Sequence, residues 1–321
     1  MRTRRSLLLV SALLGACTAG PADSLDGFGD VDDGDADHAS SGTDGGEPAC
    51  PQRFDLAGPD APPQDTQPCD RVDVLFVIDN SGSMADEQAN LVASFPGFIA
   101  GIESILPSAD YHVGVVTTDA NEFNGNGCHR IGALTIATGG EASSDAHCGP
   151  YATGYRFMTS ADDLDECFAC AAQVGIDGSG DERPMDAIAA ALDPLSADLA
   201  VCNSNFLRED ALLVLVLITD EEDEGDSLGG PEEWKANVMA AKGDEDHVVV
   251  LALVGHAKPN ACIPGQWDGL VGAEIAPRLV EFTESFAHGR VGDVCAASYV
   301  EFFSAGIDGI ADACNVVVPL G

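Results

Sequence analysis

Lysine is nearly missing from this chain. Only Lys235, Lys242 and Lys258 occur, within 14 basic residues set against 54 Asp and Glu. The formal charge of −40 excludes nucleic acid as a partner, because phosphate contacts need clustered Lys and Arg. It also sets the surface against anionic lipid headgroups, and it suits divalent cations or a salty medium that screens self-repulsion. Long apolar runs are missing too. The stretch Ser6 to Leu14 is too short to span a bilayer, and no run of ~18 apolar residues follows it. No H-E-x-x-H, G-x-S-x-G or phosphate-cradling P-loop appears, so the common hydrolase and nucleotide signatures are absent. The seven histidines are scattered, and only His112 and His247 adjoin expected strands. The single CxxC, Cys167-Phe168-Ala169-Cys170, has no second CxxC and no nearby His, which argues against zinc. It lies in a helical pattern rather than after a strand, which argues against a thioredoxin-like redox motif.

What is present begins with an address. Arg2, Arg4 and Arg5 precede the short apolar stretch, and Leu14-Gly15-Ala16-Cys17 fits a bacterial lipobox in which Cys17 is acylated. The Arg pair in Thr3-Arg4-Arg5-Ser6-Leu7-Leu8 also resembles a twin-arginine signal. Residues 1–16 therefore read as a lipoprotein signal peptide; they carry three Arg and no acid, so the rest of the chain stands at −40 − 3 = −43. Export and lipid anchoring in a bacterial envelope, at the outer membrane or cell surface, fit the cysteines. Removing Cys17 from 11 leaves ten, an even number that is expected to pair in an oxidising compartment. Bridges 128–148 and 262–295 are expected among them.

Residues 17–68 show almost no apolar periodicity and read as a disordered acidic tether. The ladder Asp30-Val31-Asp32-Asp33-Gly34-Asp35-Ala36-Asp37 has a calcium-loop look, but His38 stands where the loop glycine belongs and no Glu closes it. A solvated spacer is the better reading.

From residue 69 to 321 strands and helices alternate. Apolar, β-branched runs predict strands over 72–78, 111–117, 211–219 and 247–254, the last two continuous enough to be covered on both faces. Helices are expected over 86–105, 160–174, 184–193, 231–242, 274–287 and 298–313, with start chemistry in Thr159-Ser160-Ala161-Asp162-Asp163 and Gly230-Pro231-Glu232-Glu233 and stops at Gly175 and Gly243. That order predicts an α/β fold: one doubly wound, mostly parallel sheet flanked by helices. Two long irregular segments, 119–157 and 255–273, are expected to be disulfide-stiffened insertions carrying recognition residues.

Asp79-Asn80-Ser81-Gly82-Ser83 directly follows the first strand and places one carboxylate and two hydroxyls in a tight loop. Such oxygens can converge on a hard cation of the Mg²⁺ type. Asp220 follows the third strand in Thr219-Asp220, and Gly178-Ser179-Gly180-Asp181-Glu182-Arg183-Pro184 opens a helix. In an open α/β sheet, sites gather beyond the carboxyl ends of the strands. These three segments, in this order over about residues 70–318, resemble the von Willebrand factor A (vWA) domain and its metal-ion-dependent adhesion site. With the lipobox they are similar to envelope vWA lipoproteins of bacteria.

The resemblance implies direct ligation by Ser81 and Ser83, and a mainly water-mediated role for Asp79 and Asp220. Counting back from Ala187-Ile188 puts Glu182 where the family carries Thr, or Gly180 or Asp181 if the loop is shifted; Glu182 there implies a cation less dependent on an external acid. Mg²⁺ is the implied ion, with Ca²⁺ or Mn²⁺ as alternatives. Asp119, Glu221 and Trp267 are candidates for a ligand rim. The expected function is a membrane-tethered, non-catalytic module that binds another protein or a surface polymer. A metal-dependent hydrolase and a scaffold lipoprotein with a vestigial metal site are the alternatives.

Overall fold

The computed structural model describes Cys50 and residues 69–107, 109–125, 127–193 and 196–256, then Asn260, Cys262 and residues 272–316. These residues fall within one unit, Gly46–Gly321. Cys17, the Asp ladder and Trp267 lie outside the described residues, as does all of the expected tether except Cys50.

Five parallel strands form one sheet in the order β2-β1-β3-β4-β5. They are β1 (Arg71–Ile78), β2 (Asp110–Thr117), β3 (Leu212–Ile218), β4 (Val248–Val254) and β5 (Gly289–Asp293). Strands β3 and β4 are buried at every position, as continuous Val and Leu runs require when helices cover both faces. Alternate residues of each strand point to opposite faces and build two cores. One holds Val72, Val74, Phe76 and Ile78 of β1 against α1 (Ala85–Ile105), α2 (Leu164–Ala172) and α6 (Val300–Val316). The other holds Leu75, Val77, Leu213, Leu215 and Leu217 against α3 (Pro184–Leu192), α4 (Pro231–Lys242) and α5 (Pro277–Glu284). The fold is therefore a doubly wound α/β sheet. None of its described helices is long and apolar enough to cross a membrane.

Two helix starts shift by three residues or more, and one strand is new. Helix α2 starts at Leu164 rather than 160, because Thr159 and Asp162 close a turn: the Asp162 carboxylate accepts from Thr159 N at 2.8 Å, and Asp163 becomes the N-cap. Helix α5 starts at Pro277 rather than 274, since Glu274 N donates instead to Asp220 O at 2.8 Å. Strand β5 has no counterpart among the expected strands.

Five disulfides tie the described residues together: Cys50–Cys167, Cys69–Cys314, Cys128–Cys202, Cys148–Cys170 and Cys262–Cys295. This many cystines fits an oxidising compartment. The 262–295 bridge is as expected, whereas the 128–148 bridge is not formed. Cys148, its backbone N–H donating to Ile136 O at 2.8 Å, packs in the core shared with Cys170 of α2, while Cys128 packs with Ala133, Leu199 and Cys202. The two cysteines of the CxxC enter separate bridges, which removes any dithiol chemistry between them. Cys50, from the stretch read as tether, is buried and covalently joined to α2.

Candidate metal centre and acidic cleft

The chain order reverses between β1 and β3. β2 pairs on one side of β1, and β3 and β4 continue on the other, so the crevice beyond their carboxyl ends is the switch point where doubly wound sheets hold ligands. Asp79 and Asp220 leave β1 and β3 at that crevice. The two strands are stitched there by Asp79 N donating to Ile218 O at 3.0 Å.

Asp79 is wholly buried with both oxygens engaged: Oδ1 accepts from Ser81 N at 2.7 Å and Oδ2 from the Thr219 hydroxyl at 2.6 Å. The hydroxyls of Ser81 and Ser83 lie 3.4 Å apart, and Ser83 donates to Asp220 Oδ1 at 3.0 Å. The third strand's Thr219-Asp220 thus locks the first loop from below. Gln88, in the first turns of α1, donates to Asp79 O and Gly175 O, both at 2.9 Å, and so joins that loop to the segment before α3.

Glu182 enters from the 178–183 loop and is 1% exposed. One carboxylate oxygen takes the Thr118 hydroxyl in a short hydrogen bond, and the other, Oε1, is buried without a hydrogen-bond partner. Thr118 lies just past the edge strand β2, so a third neighbouring strand, beside β1 and β3, contributes a residue at this end of the sheet. Burial first, and the Asp79 carboxylate second, push Glu182 up to about 10. The same two causes, in the same order, push Asp220 up to about 7. Burial likewise raises Asp79 above the usual carboxylate range, against the hydrogen bonds from Thr219 and Ser81. The buried Asp79 carboxylate thus acts on both Glu182 and Asp220, and among the described residues no basic group is bonded to any of the three.

The donors are two hydroxyls and three carboxylates. Oxygen-only donors of this kind suit a hard divalent cation, whose charge would favour the ionised forms that burial opposes. The orphaned Glu182 Oε1 is the specific observation that fits one, since a buried carboxylate oxygen without a partner is costly. A different grouping, Cys50, Asp162 and Cys167, does not fit a metal. Its two sulfurs form a disulfide, and Asp162 is committed to the turn before α2.

Above the serines opens a cleft of about 610 Å³ whose described lining has seven acidic residues and no Lys, Arg or His. Glu221, one of the rim candidates, is among the lining residues. Asp119 is not; it lines a neighbouring hollow and cross-links two loops, accepting from Asn80 Nδ2 at 2.9 Å and Ser179 N at 2.8 Å. Glycine is required at 178 for that cross-link. A Cβ there would lie 2.4 Å from Asn80 Nδ2. Sequence reasoning did not single out Thr118, Asn80 or Gln88. Thr118 and Asn80 follow strand ends, but nothing in their spacing reveals which hydroxyl or amide turns inward.

No protein-family model and no curated protein matches this chain. Among solved structures it is similar to proximal thread matrix protein 1 from the mussel byssus (crystal form 2), at 14% identity and a TM-score of 0.36. That match covers 77% of this chain and 47% of the mussel chain, so this chain spans about half its length. Similarity at this level assigns no role.

Proposed function

We propose that the chain is a vWA-type binding module of the bacterial envelope, held to a membrane by a lipid on Cys17, that takes a divalent cation and through that face binds another protein or a surface polymer. The observation that carries this reading is the Ser81–Ser83 hydroxyl pair held between Asp79 and Asp220 at the sheet's switch point, with Glu182 within charge range of Asp79 and its Oε1 left without a partner. Ser81, Ser83 and Glu182 would hold Mg²⁺, or Ca²⁺ or Mn²⁺, directly. Asp79 and Asp220 would act through the serines and water, since Asp79 is already occupied by Ser81 N and Thr219. The bound ion would supply a fixed positive charge and open coordination positions to a ligand.

We favour a non-catalytic role: the serine hydroxyls face each other and Asp220 as an oxygen cluster, and among the described residues no His is bonded to them. Calorimetric titration with Mg²⁺, Mn²⁺ and Ca²⁺ tests the reading. The wild type is expected to take one ion per chain, and Asp79→Asn to lose it. No heat with any of the three would overturn the metal site.

A further inference from the structure

We propose a second binding site at the opposite end of the sheet: an aromatic-walled pocket that takes a neutral sugar ring of a polysaccharide, without a metal. The pocket, of about 380 Å³, opens beside the amino ends of β1 and β2, whose first residues Arg71 and Asp110 help to line it. Its size falls in the range of small-molecule sites. It is separate from the metal centre and stands whether or not that reading does. Tyr155 and Phe157 stack there with ring centroids 5.4 Å apart and planes 8° from parallel, and the His112 ring lies 4.1 Å from Phe157. Met158, the next residue, is bridged to Val113 of β2 by hydrogen bonds of 2.8 and 2.9 Å, which fixes this segment against the sheet edge. Residues 155 and 157 share a side, as alternate residues of an extended chain do, while Arg156 between them bonds Leu134 O and Asn124.

The polar groups around those rings are matched in charge. Arg208 is held by Asp73 and Asp110 at 2.8 and 2.6 Å, and Arg71 by Asp210 at 2.5 Å. Guanidinium and carboxylate therefore offset each other here, on a chain that is strongly acidic elsewhere, and the lining favours an ion of neither sign. What it offers instead is hydrogen bonding. The Phe206 carbonyl can only accept, so the His112 proton sits on Nδ1, 2.8 Å away, and Nε2 is left as an acceptor. Burial lowers the His112 pKa and keeps the ring in that neutral form. The Asp110 side chain, 60% exposed, accepts, and the exposed Asn205 brings an amide that both donates and accepts. A sugar ring matches this set, with a face of C–H groups for an aromatic ring and a rim of hydroxyls that donate and accept. A purely apolar side chain would instead cover His112 Nε2 and the Asp110 carboxylate without giving them partners, which is costly.

Affinity electrophoresis of the whole, disulfide-intact chain tests this, in native gels containing dextran, mannan or galactan, with polygalacturonate as an anionic polymer, and with and without chelator. Two variants probe the pocket. Tyr155→Ala removes the outer ring of the stack, which is 39% exposed. Asn205→Gly removes the amide at a position whose φ of +62° glycine adopts freely, so the fold is kept. Phe123→Ala is the control, since Phe123 is equally exposed but follows β2 at the carboxyl end of the sheet. The expected result is retardation by at least one of the three neutral polymers, unchanged in chelator. Affinity is expected to fall about tenfold or more in Tyr155→Ala, about threefold or more in Asn205→Gly and less than about twofold in Phe123→Ala.

No retardation by any of the three neutral polymers would overturn the proposal, and so would retardation that either pocket variant leaves unchanged. Binding lost in chelator, or lost equally in Phe123→Ala, would put the polymer on the metal face and overturn it too. Retardation by polygalacturonate alone would make this an anion site. Calorimetric heat from a neutral, Phe-bearing peptide that Tyr155→Ala abolishes, where no polymer binds, would make it a peptide site. Either result overturns the neutral sugar. Cation titration reads the metal centre independently, so this proposal and the metal reading fail separately.

Discussion

Glu182 carries a cost that Thr at the same place would not. Its buried Oε1 has no partner, and burial with the neighbouring Asp79 pushes its carboxyl up to about 10, so without a cation it is held as the neutral acid. Replacing it by Thr is expected to act in opposite directions on two measurements. In chelator the fold gains stability, by about 1–3 kcal/mol, because an unsatisfied buried polar group is removed. With Mg²⁺ the calorimetric affinity falls by about 10–100-fold, because an anionic ligand is lost. If both quantities are unchanged, Glu182 has no part in the site. Thr118 tests the same geometry from the other side. Thr118→Val removes the hydroxyl that orients Glu182 and is expected to destabilise the chelated protein by about 1–3 kcal/mol in urea titrations, since it orphans the second oxygen.

The elements legible in the sequence were those whose signal is a burial pattern. Strands β1 to β4 and helices α1, α3 and α4 start and stop within a residue of the periodicity, because β-branched runs, Pro at a helix start and Gly243 in a left-handed cap act locally. Strand β5 was not legible. Gly-Arg-Val-Gly-Asp has one β-branched residue and is half-buried, so it pairs because β4 offers an edge rather than from its own propensity. For the site, Asp79, Ser81, Ser83 and Asp220 were visible as a spaced motif, whereas Thr118 and the Asn80–Asp119–Ser179 cross-link depend on how loops from different strands meet.

The opposite end of β1 holds another feature that alternation alone conceals. Asp73, in the middle of an apolar strand and wholly buried, receives Arg208 Nε at 2.8 Å and Arg208 N at 2.7 Å, while the same guanidinium bonds Asp110 at 2.6 Å. Removing one partner of a buried pair leaves an uncompensated charge, so Arg208→Met is expected to cost about 3–5 kcal/mol in equilibrium denaturation. Adding Asp73→Leu should restore most of that loss. A double variant no more stable than the single would show that the loss comes from the arginine's packing rather than from the stranded carboxylate.

Across the whole molecule, charge and the metal centre make stability a function of pH in two opposed ways. Burial raises Asp73 to about 6, Asp220 to about 7, Glu87 to about 9 and Glu182 to about 10, against 3.8 for a free Asp and 4.5 for a free Glu. Each acid therefore holds its proton in the folded state at a pH where the unfolded chain has released it. The native state binds more protons, and stability must fall as pH rises. The slope is about 1.4 kcal/mol per pH unit for each proton held, so the chelated protein is expected to lose at least about 3 kcal/mol between pH 5 and 8. Self-repulsion in a chain of −40 adds to the loss and is reduced by salt.

A divalent cation reverses the trend at the site, because binding requires the ionised acids and releases their protons. Stabilisation by ligand grows as the ion outcompetes protons, reaching about 2.7 kcal/mol at a hundred times its Kd, and is largest at high pH. Urea denaturation at pH 5 and 8, in chelator and in Mg²⁺, is thus expected to show a steep fall in the first series and a shallower or inverted slope in the second. Stability that rose with pH in chelator would mean that the buried carboxylates are ionised in the folded protein without a cation. Asp79, Glu182 and Asp220 would then need a source of positive charge other than a bound metal.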